Sequence, residues 1–417
     1  MLRNGVGDSP SRRDGPTNTM TAPRILVVIP GLPEQRTGGG AMLYELLAWL
    51  ADRVGPSGAV TVVVPVPHAR WSELEALERD PAFPRTHWHP LDERRVPGLT
   101  GRVQRMLGPL PADMAKVATP ENASMLEAIR TSFRPTVELA VSSWALAAYR
   151  GQAFTPGTRL FMVNVDPDIV RHDAPLFVGG WLDTEAAIRK LACAIDRPKV
   201  RRVCRQAVAT AARVGAVSPA DVAPLNGLGG RSDTVSLPPL MRPKPLDRSA
   251  AVPGTVLITT NLAYQPNVTS LEWFLRQVWP HVGPAELTIA GADPRGVGDR
   301  LCRGRERVRF VGMLGPAELD AAFARTAVAV NPTQTGSGFQ VKLLDAIARG
   351  VPIVSTTWSN KLGPAIPSSD DPRKLAGLIT ARLTPGSAPP FDYAAFHASA
   401  TAAWNAFLFE PCRPVTA

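Results

Sequence analysis

The chain has 417 residues, 45% hydrophobic and 20% charged, a balance that suits a globular protein of two or three domains and excludes a disordered or fibrous one. Lys+Arg 46 against Asp+Glu 36 gives a net charge of +10, which fits an Arg-rich surface or attraction to anionic donors, acceptors or a membrane face. No nucleic-acid motif or basic-aromatic array accompanies that charge, so no nucleic-acid partner is expected.

Four cysteines (Cys193, Cys204, Cys302, Cys412) are spread along the chain without a CxxC. They read as reduced thiols of a cytoplasmic protein. No apolar run approaches the ~20 residues needed to cross a bilayer. Met1 to about Ala22 is polar and lacks the apolar core of a signal peptide, so residues 1–22 are expected to be a disordered leader, with Met20 an alternative start.

Arg24–Pro30 (RILVVIP) is a continuous apolar run, as in a strand buried on both faces of a parallel sheet. A glycine-rich loop to Gly40 follows, then helical spacing over Ala41–Arg53 and a second strand at Ala59–Pro65, together a βαβ unit. His87 and His89 flank Trp88 with no third metal ligand in view, which favours a loop. Further strands are expected at Val137–Val141, Leu160–Val165, Arg213–Val217 and Thr234–Leu237, with a basic helix over Pro198–Ala212. Ser218 and Pro219 suit the N-cap and first residue of the next helix.

The proline-rich stretch 238–254 reads as a linker between a first domain, 23–237, and a second, 255–385. The second domain repeats the α/β rhythm, with strands at Thr255–Thr259, Glu286–Ala290, Val308–Val311 and Val328–Asn331. Helices are expected at Val268–Val278 and Pro316–Ala324, with Asn267 as a cap and Trp273 filling core. Thr260 and Asn261 sit at a strand's carboxyl end, where open α/β sheets bind ligands. The final segment, 386–417, contains an aromatic-bearing helix over Phe391–Phe409.

The most informative segment is Gly336-Ser337-Gly338-Phe339-Gln340-Val341-Lys342-Leu343-Leu344-Asp345-Ala346, closed by Gly350-Val351-Pro352-Ile353-Val354. It reads as a glycine turn, a helix and a buried strand. Glycines let backbone approach a ligand, and a helix start aims N–H groups at it. Lys342 in the first turn opposes the helix dipole, a misfit that an anion beside it would relieve. Asp345 follows one turn later, within reach of a ribose.

This segment resembles the nucleotide-sugar site of family 4 retaining glycosyltransferases, whose pattern runs Lys-x-Leu-Glu-Ala and then Gly-x-Pro-x-Val. Here Asp345 stands in place of the Glu, and Ser337 where many members carry a first Glu. Other stretches resemble the same family in the required order: Pro266-Asn267 before Trp273-Phe274, Gly291-Ala292-Asp293-Pro294, and Phe310-Val311-Gly312-Met313. Phe161 to Asp168 resembles a His-Asn-Val-Glu stretch, with Val163 in place of the His.

The resemblance implies a GT-B fold: two Rossmann-like doubly wound α/β domains facing across a cleft, the last helix returning to the first domain with Tyr393, Phe396, Trp404 and Phe407 as anchors. It implies a retaining hexosyltransferase that needs no cofactor or metal and uses a UDP-, GDP- or dTDP-sugar. Lys342 would stabilise the diphosphate and Asp345 hold ribose. Gly38, Gly39, Gly40, Thr260, Asn261, Gly312, Ser337, Gly338 and Phe339 would bind the donor, and Asn164, Asp166 and Asp168 face an acceptor of unknown identity. The family's usual second basic residue near Asn261 is absent. A basic stretch, Arg94, Arg95, Arg102 and Arg105, suits an anionic lipid-linked acceptor at the inner membrane face as well as ordinary surface. A non-catalytic scaffold that kept the fold is the main alternative. A sugar-nucleotide epimerase, with more cleft carboxylates and a His, is a further one.

Overall fold

The computed structural model describes residues 22–34, 38–93, 107–165, 184–335, 339–386 and 391–411, without the side chains of 184–190 and 192. Asp166, Asp168, Ser337 and Gly338, the leader before Ala22, and the arginines at 94, 95, 102 and 105 lie outside the described residues.

Two parallel sheets form the framework. The first has the order β3-β2-β1-β4-β5-β6-β7 and the second β10-β9-β8-β11-β12. In the first sheet β1 (Arg24–Val28) lies between β2 (Ala59–Pro65) and β4 (Val137–Val141), every pairing parallel. Strands β1 and β4 are buried almost throughout, as the apolar runs dictate, because helices cover both faces of the sheet. Outward from β2 lies β3 (Thr86–Leu91); outward from β4 lie β5 (Arg159–Met162), β6 (Arg213–Ala216) and β7 (Val235–Ser236). The second sheet places β8 (Thr255–Thr259) between β9 (Glu286–Ala290) and β11 (Val328–Asn331), with β10 (Val308–Phe310) and β12 (Ile353–Ser355) at the edges.

This order fixes where ligands can bind. The chain winds outward from β1 through β2 and β3, then reverses to β4, leaving a crevice where the β1 and β4 connections part. The second sheet repeats the reversal between β8 and β11. Such switch points at the carboxyl ends of strands are the binding positions of open α/β sheets.

Three local expectations are corrected. Residues 86–91 form β3, an edge strand, and not a loop: Trp88 is buried against Phe83 at 5.4 Å between ring centroids, while burial beside His87 holds the His89 imidazole below its ordinary pKa. The polar His-x-His alternation hid the strand because one side of an edge strand meets solvent. The helix expected to begin at Pro198 runs over Thr184–Thr210 with Pro198 inside it. Beside the proline, Asp196 accepts from Ala112 N (3.0 Å) and Lys199 donates to Leu110 O (3.4 Å), tertiary bonds that offset the lost helical one. Ser218 is the N-cap residue of the helix Pro219–Gly229, but its hydroxyl donates to Asp221 (2.6 Å) and leaves the helix N–H groups alone.

The last helix, Tyr393–Phe409, touches both halves of the protein. Trp404 and Phe407 are buried in the first domain's core, where Trp404 meets Phe161 at 4.7 Å and donates to Pro238 O (2.9 Å). Tyr393 and Phe396 belong to the second domain's core, and the Tyr393 hydroxyl donates to Met241 O (2.8 Å). Arg159 (to Phe407 O, 2.9 Å) and Arg213 (to Ala406 O, 2.7 Å) supply donors to the last turn's carbonyls, as helix C-termini favour.

Candidate active site

The helix Val341–Ala348 starts beside the β8/β11 switch point. Its first turn carries no acidic residue, and Gln340 precedes it without a side-chain cap. Lys342 turns inward. Its ammonium donates to Thr333 Oγ1 (3.2 Å) and Asn267 Oδ1 (3.3 Å), one from the chain after β11 and one from the helix after β8. Both partners are neutral, and burial pulls the amine down from 10.5 to about 8. Among the described residues Lys342 forms no ion pair, so its charge is met there by dipoles alone.

Those dipoles belong to a wider network. Thr333 Oγ1 donates onward to Asn331 Oδ1 (2.7 Å), and Asn267 Nδ2 donates to Asn261 O (2.9 Å). Asn331 is fully buried, and its Nδ2 has no partner among the described residues. Asn267 was expected to cap its helix; the structure makes Tyr264 the N-cap residue of Gln265–Trp273 and spends the Asn267 amide between Lys342 and the β8 loop. The side chain of Asn261 accepts from Ala263 N (2.9 Å), so Asn261 shapes the loop that its carbonyl then ties to Asn267. Sequence spacing gave no sign of Thr333 or Asn331, since neither belongs to a glycine or charge pattern.

The loops beyond β8, β9 and β10 are knitted by backbone bonds. Thr260 N donates to Ala290 O (2.9 Å), Leu262 N to Ala292 O (2.7 Å) and Gly291 N to Gly312 O (2.7 Å). Gly291 has φ 144°, and a Cβ there would stand 1.6 Å from the Thr260 carbonyl oxygen, so only glycine fits. Thr260 and Gly312 thus lie on one continuous rim with Asn261. Arg295, from the loop after β9, donates to Leu262 O (2.9 Å) and brings a cation to the loop where sequence reading finds none.

Asp345 is engaged within its own helix. Arg349 donates to its Oδ1 and to Asp320 Oδ1 as well (2.9 Å). Arg349 also lies over the Phe323 ring at 4.9 Å, and Asp320 pairs with Lys244 (2.6 Å). Burial raises the Asp345 pKa, and Arg349 opposes that shift. The side chain remains 24% exposed.

The first domain meets this site at its glycines. The helix expected from Ala41 begins at Gly38 and runs to Arg53, so Gly38, Gly39 and Gly40 form its first turn. A Cβ on Gly38 would lie 3.7 Å from Val341 Cβ, which sets one helix start against the other. Phe339 packs against the cores of both domains, just before Lys342. Asn164 is half-buried beyond the end of β5. No group of three or more His, Cys, Asp or Glu able to hold a metal occurs among the described residues, and no described helix is long and apolar enough to cross a membrane.

Comparison with known proteins agrees with this geometry. Residues 253–381 match the family model described as Glycosyl transferases group 1. An uncharacterized 44.6 kDa protein in the cps region of Klebsiella pneumoniae is 28% identical over 128 residues, which span 28% of this chain and 33% of that relative. Among solved structures, sucrose-phosphate synthase from Thermosynechococcus elongatus superimposes with a TM-score of 0.61 at 16% identity, covering 92% of this chain and 98% of that one. Anabaena HepE, solved with UDP and glucose, gives 0.53 at 14% identity over 92% and 99%. TarM from S. aureus, solved with UDP among its ligands, gives 0.61 at 9% over 92% and 99%. The chain therefore has the GT-B fold, and its residues 253–381 are similar to the group 1 glycosyl transferases.

Proposed function

We propose that the protein transfers a hexose from a UDP-, GDP- or dTDP-sugar to an acceptor held by its first domain, with retention at the anomeric carbon and without a metal. The observation that carries this reading is the Lys342 ammonium, held at the β8/β11 switch point by two neutral oxygens opposite the glycine start of Gly38–Arg53. A desolvated cation without a counter-ion is suited to an anionic ligand. Gly38 and Gly39 are exposed and occupy the positive end of a helix, where orphan N–H groups face a diphosphate well.

In this reading the bond between the anomeric carbon and the β-phosphate oxygen breaks, and the electron pair leaves with the diphosphate. Lys342, the Gly38 helix start and the Gly338 backbone stabilise the charge as it develops. The acceptor hydroxyl forms the new bond and its proton passes to the departing phosphate oxygen. Asp345, oriented by Arg349, takes the ribose hydroxyls, while Thr260, Asn261, Gly312, Ser337 and Phe339 contact base and sugar. Asn164, Asp166 and Asp168 remain the acceptor-side group. A cytoplasmic site of action, including acceptors at the inner membrane face, follows from the donor's own location.

Thermal unfolding with UDP, GDP and dTDP tests the donor assignment. One nucleotide at about 100 Kd should stabilise the protein by roughly 3 kcal/mol, the others less. No shift with any of them, and no hydrolysis of their sugars, would favour the scaffold alternative.

The amine near pH 8 gives a second test. Diphosphate raises the Lys342 pKa, so binding takes up a proton when the free amine is neutral. Calorimetric affinity should be flat below pH 7 and fall up to about tenfold per unit above pH 8. The unliganded protein should respond in the opposite sense. Its charged amine is penalised below pH 8, and that penalty is relieved as pH rises from about 8 toward the unfolded value of 10.5.

A further inference from the structure

We infer that a cavity at the switch point of the first sheet binds an apolar aglycone, an alcohol or phenol whose hydroxyl receives the sugar; this deepens the glycosyltransfer reading and rests on it. The cavity has a volume of about 290 Å³ and opens where β1 and β4 part, beyond the carboxyl ends of β1, β2 and β3. Its walls are Ile29, Leu91, Met114, Val117 and the half-buried Trp144, with alanines beside the indole. Three charged residues line it. Asp113 and Lys116 pair with each other at 2.5 Å, which leaves Glu93 as the lining carboxylate outside that pair.

The cavity is held open by specific bonds. Asn122, 2% exposed, donates to both Asp92 O and Val117 O at 2.8 Å and accepts from Asp92 N at 3.1 Å, fastening the β3 end to the Val117 wall. The chain leading into Asp113 is fixed at Ala112 by Asp196. Ser142, at the end of β4, holds φ 65°, a left-handed value that costs a non-glycine residue on the order of 1 kcal/mol or more and turns the chain so that Trp144 reaches the cavity.

A saccharide is the poorer occupant. Its hydroxyls would exchange water for aliphatic and indole surface, and each unpaired polar group is costly. An apolar group gains from the same walls. The volume lies at the low end of ligand pockets and admits a fused two-ring aromatic or a chain of roughly ten carbons. The position also suits acceptor delivery: the cavity is walled by the residues that end β1, and the helix that follows β1 starts at Gly38, against Val341 of the donor side.

Calorimetry with 2-naphthol, geraniol and methyl glucoside on the full chain, without nucleotide, tests the assignment. Naphthol or geraniol should bind, and Trp144→Ala and Ala145→Phe should each weaken that binding at least tenfold; the preferred ligand tells a planar ring from an isoprenoid chain. Stabilisation by whichever of UDP, GDP and dTDP binds should be equal in wild type and both variants. Methyl glucoside binding in place of the apolar alcohols overturns the proposal, as does apolar binding that survives in folded variants. If Ala145→Phe does not fold, Trp144→Ala decides, because its side chain is only half-buried. Naphthol or geraniol binding here with no response to UDP, GDP or dTDP would instead overturn the donor reading.

Discussion

Replacing Lys342 with methionine should lower kcat/KM for sugar transfer by about 100-fold or more while making the unliganded protein more resistant to heat. The two effects share one origin. The ammonium is desolvated, with only Thr333 and Asn267 as partners, and its pKa falls from 10.5 to about 8. At neutral pH the charged form therefore costs the fold on the order of 3 kcal/mol, which methionine removes. The same charge supplies electrostatic stabilisation to a departing diphosphate, and loss of one such preorganised donor is worth about 100- to 1000-fold in rate. Calorimetric melting and a donor-hydrolysis assay read both sides. A variant that melts higher and keeps full turnover would show that the buried cation does not serve the donor.

Arg349→Ala should be the most destabilising single change near the site, by about 3–5 kcal/mol in urea titrations. Its guanidinium is 9% exposed and holds two carboxylates, Asp345 and Asp320, besides donating to Asp345 O (2.9 Å). Alanine leaves Asp345 half-buried and unpaired, whereas Asp320 keeps Lys244. Adding Asp345→Leu to Arg349→Ala should therefore recover part of the loss, since no buried charge then lacks a partner. Full stability of Arg349→Ala alone would mean that the carboxylates are hydrated in solution.

Much of the framework was legible before any coordinates. β1, β2, β4, β8, β9 and β11 lie where strands were expected, and β1 shows why most plainly, because a continuous apolar run marks a strand buried on both faces. β3 escaped because its exposed positions are histidines, and Pro198 was read as a start because local chemistry favours that position. Lys342 stood out through a conflict with the helix dipole, a signal internal to the sequence. Its partners did not: Thr333 and Asn267 are 9 and 75 residues away and meet it only once β8 and β11 are adjacent. Asn122 and Ser142 were equally silent, since a staple between chain ends and a left-handed serine acquire meaning from tertiary placement.

The helix Tyr393–Phe409 constrains how the protein can move and how it can be dissected. With Tyr393 seated in one half and Trp404 in the other, it acts as a leaf spring across the cleft. Any movement of one half against the other must flex the stretch between those two residues. A fragment cut before this spring would leave a void the size of an indole and a phenyl ring at the heart of the first lobe, so the first sheet's core depends on a helix that follows the second sheet in the chain.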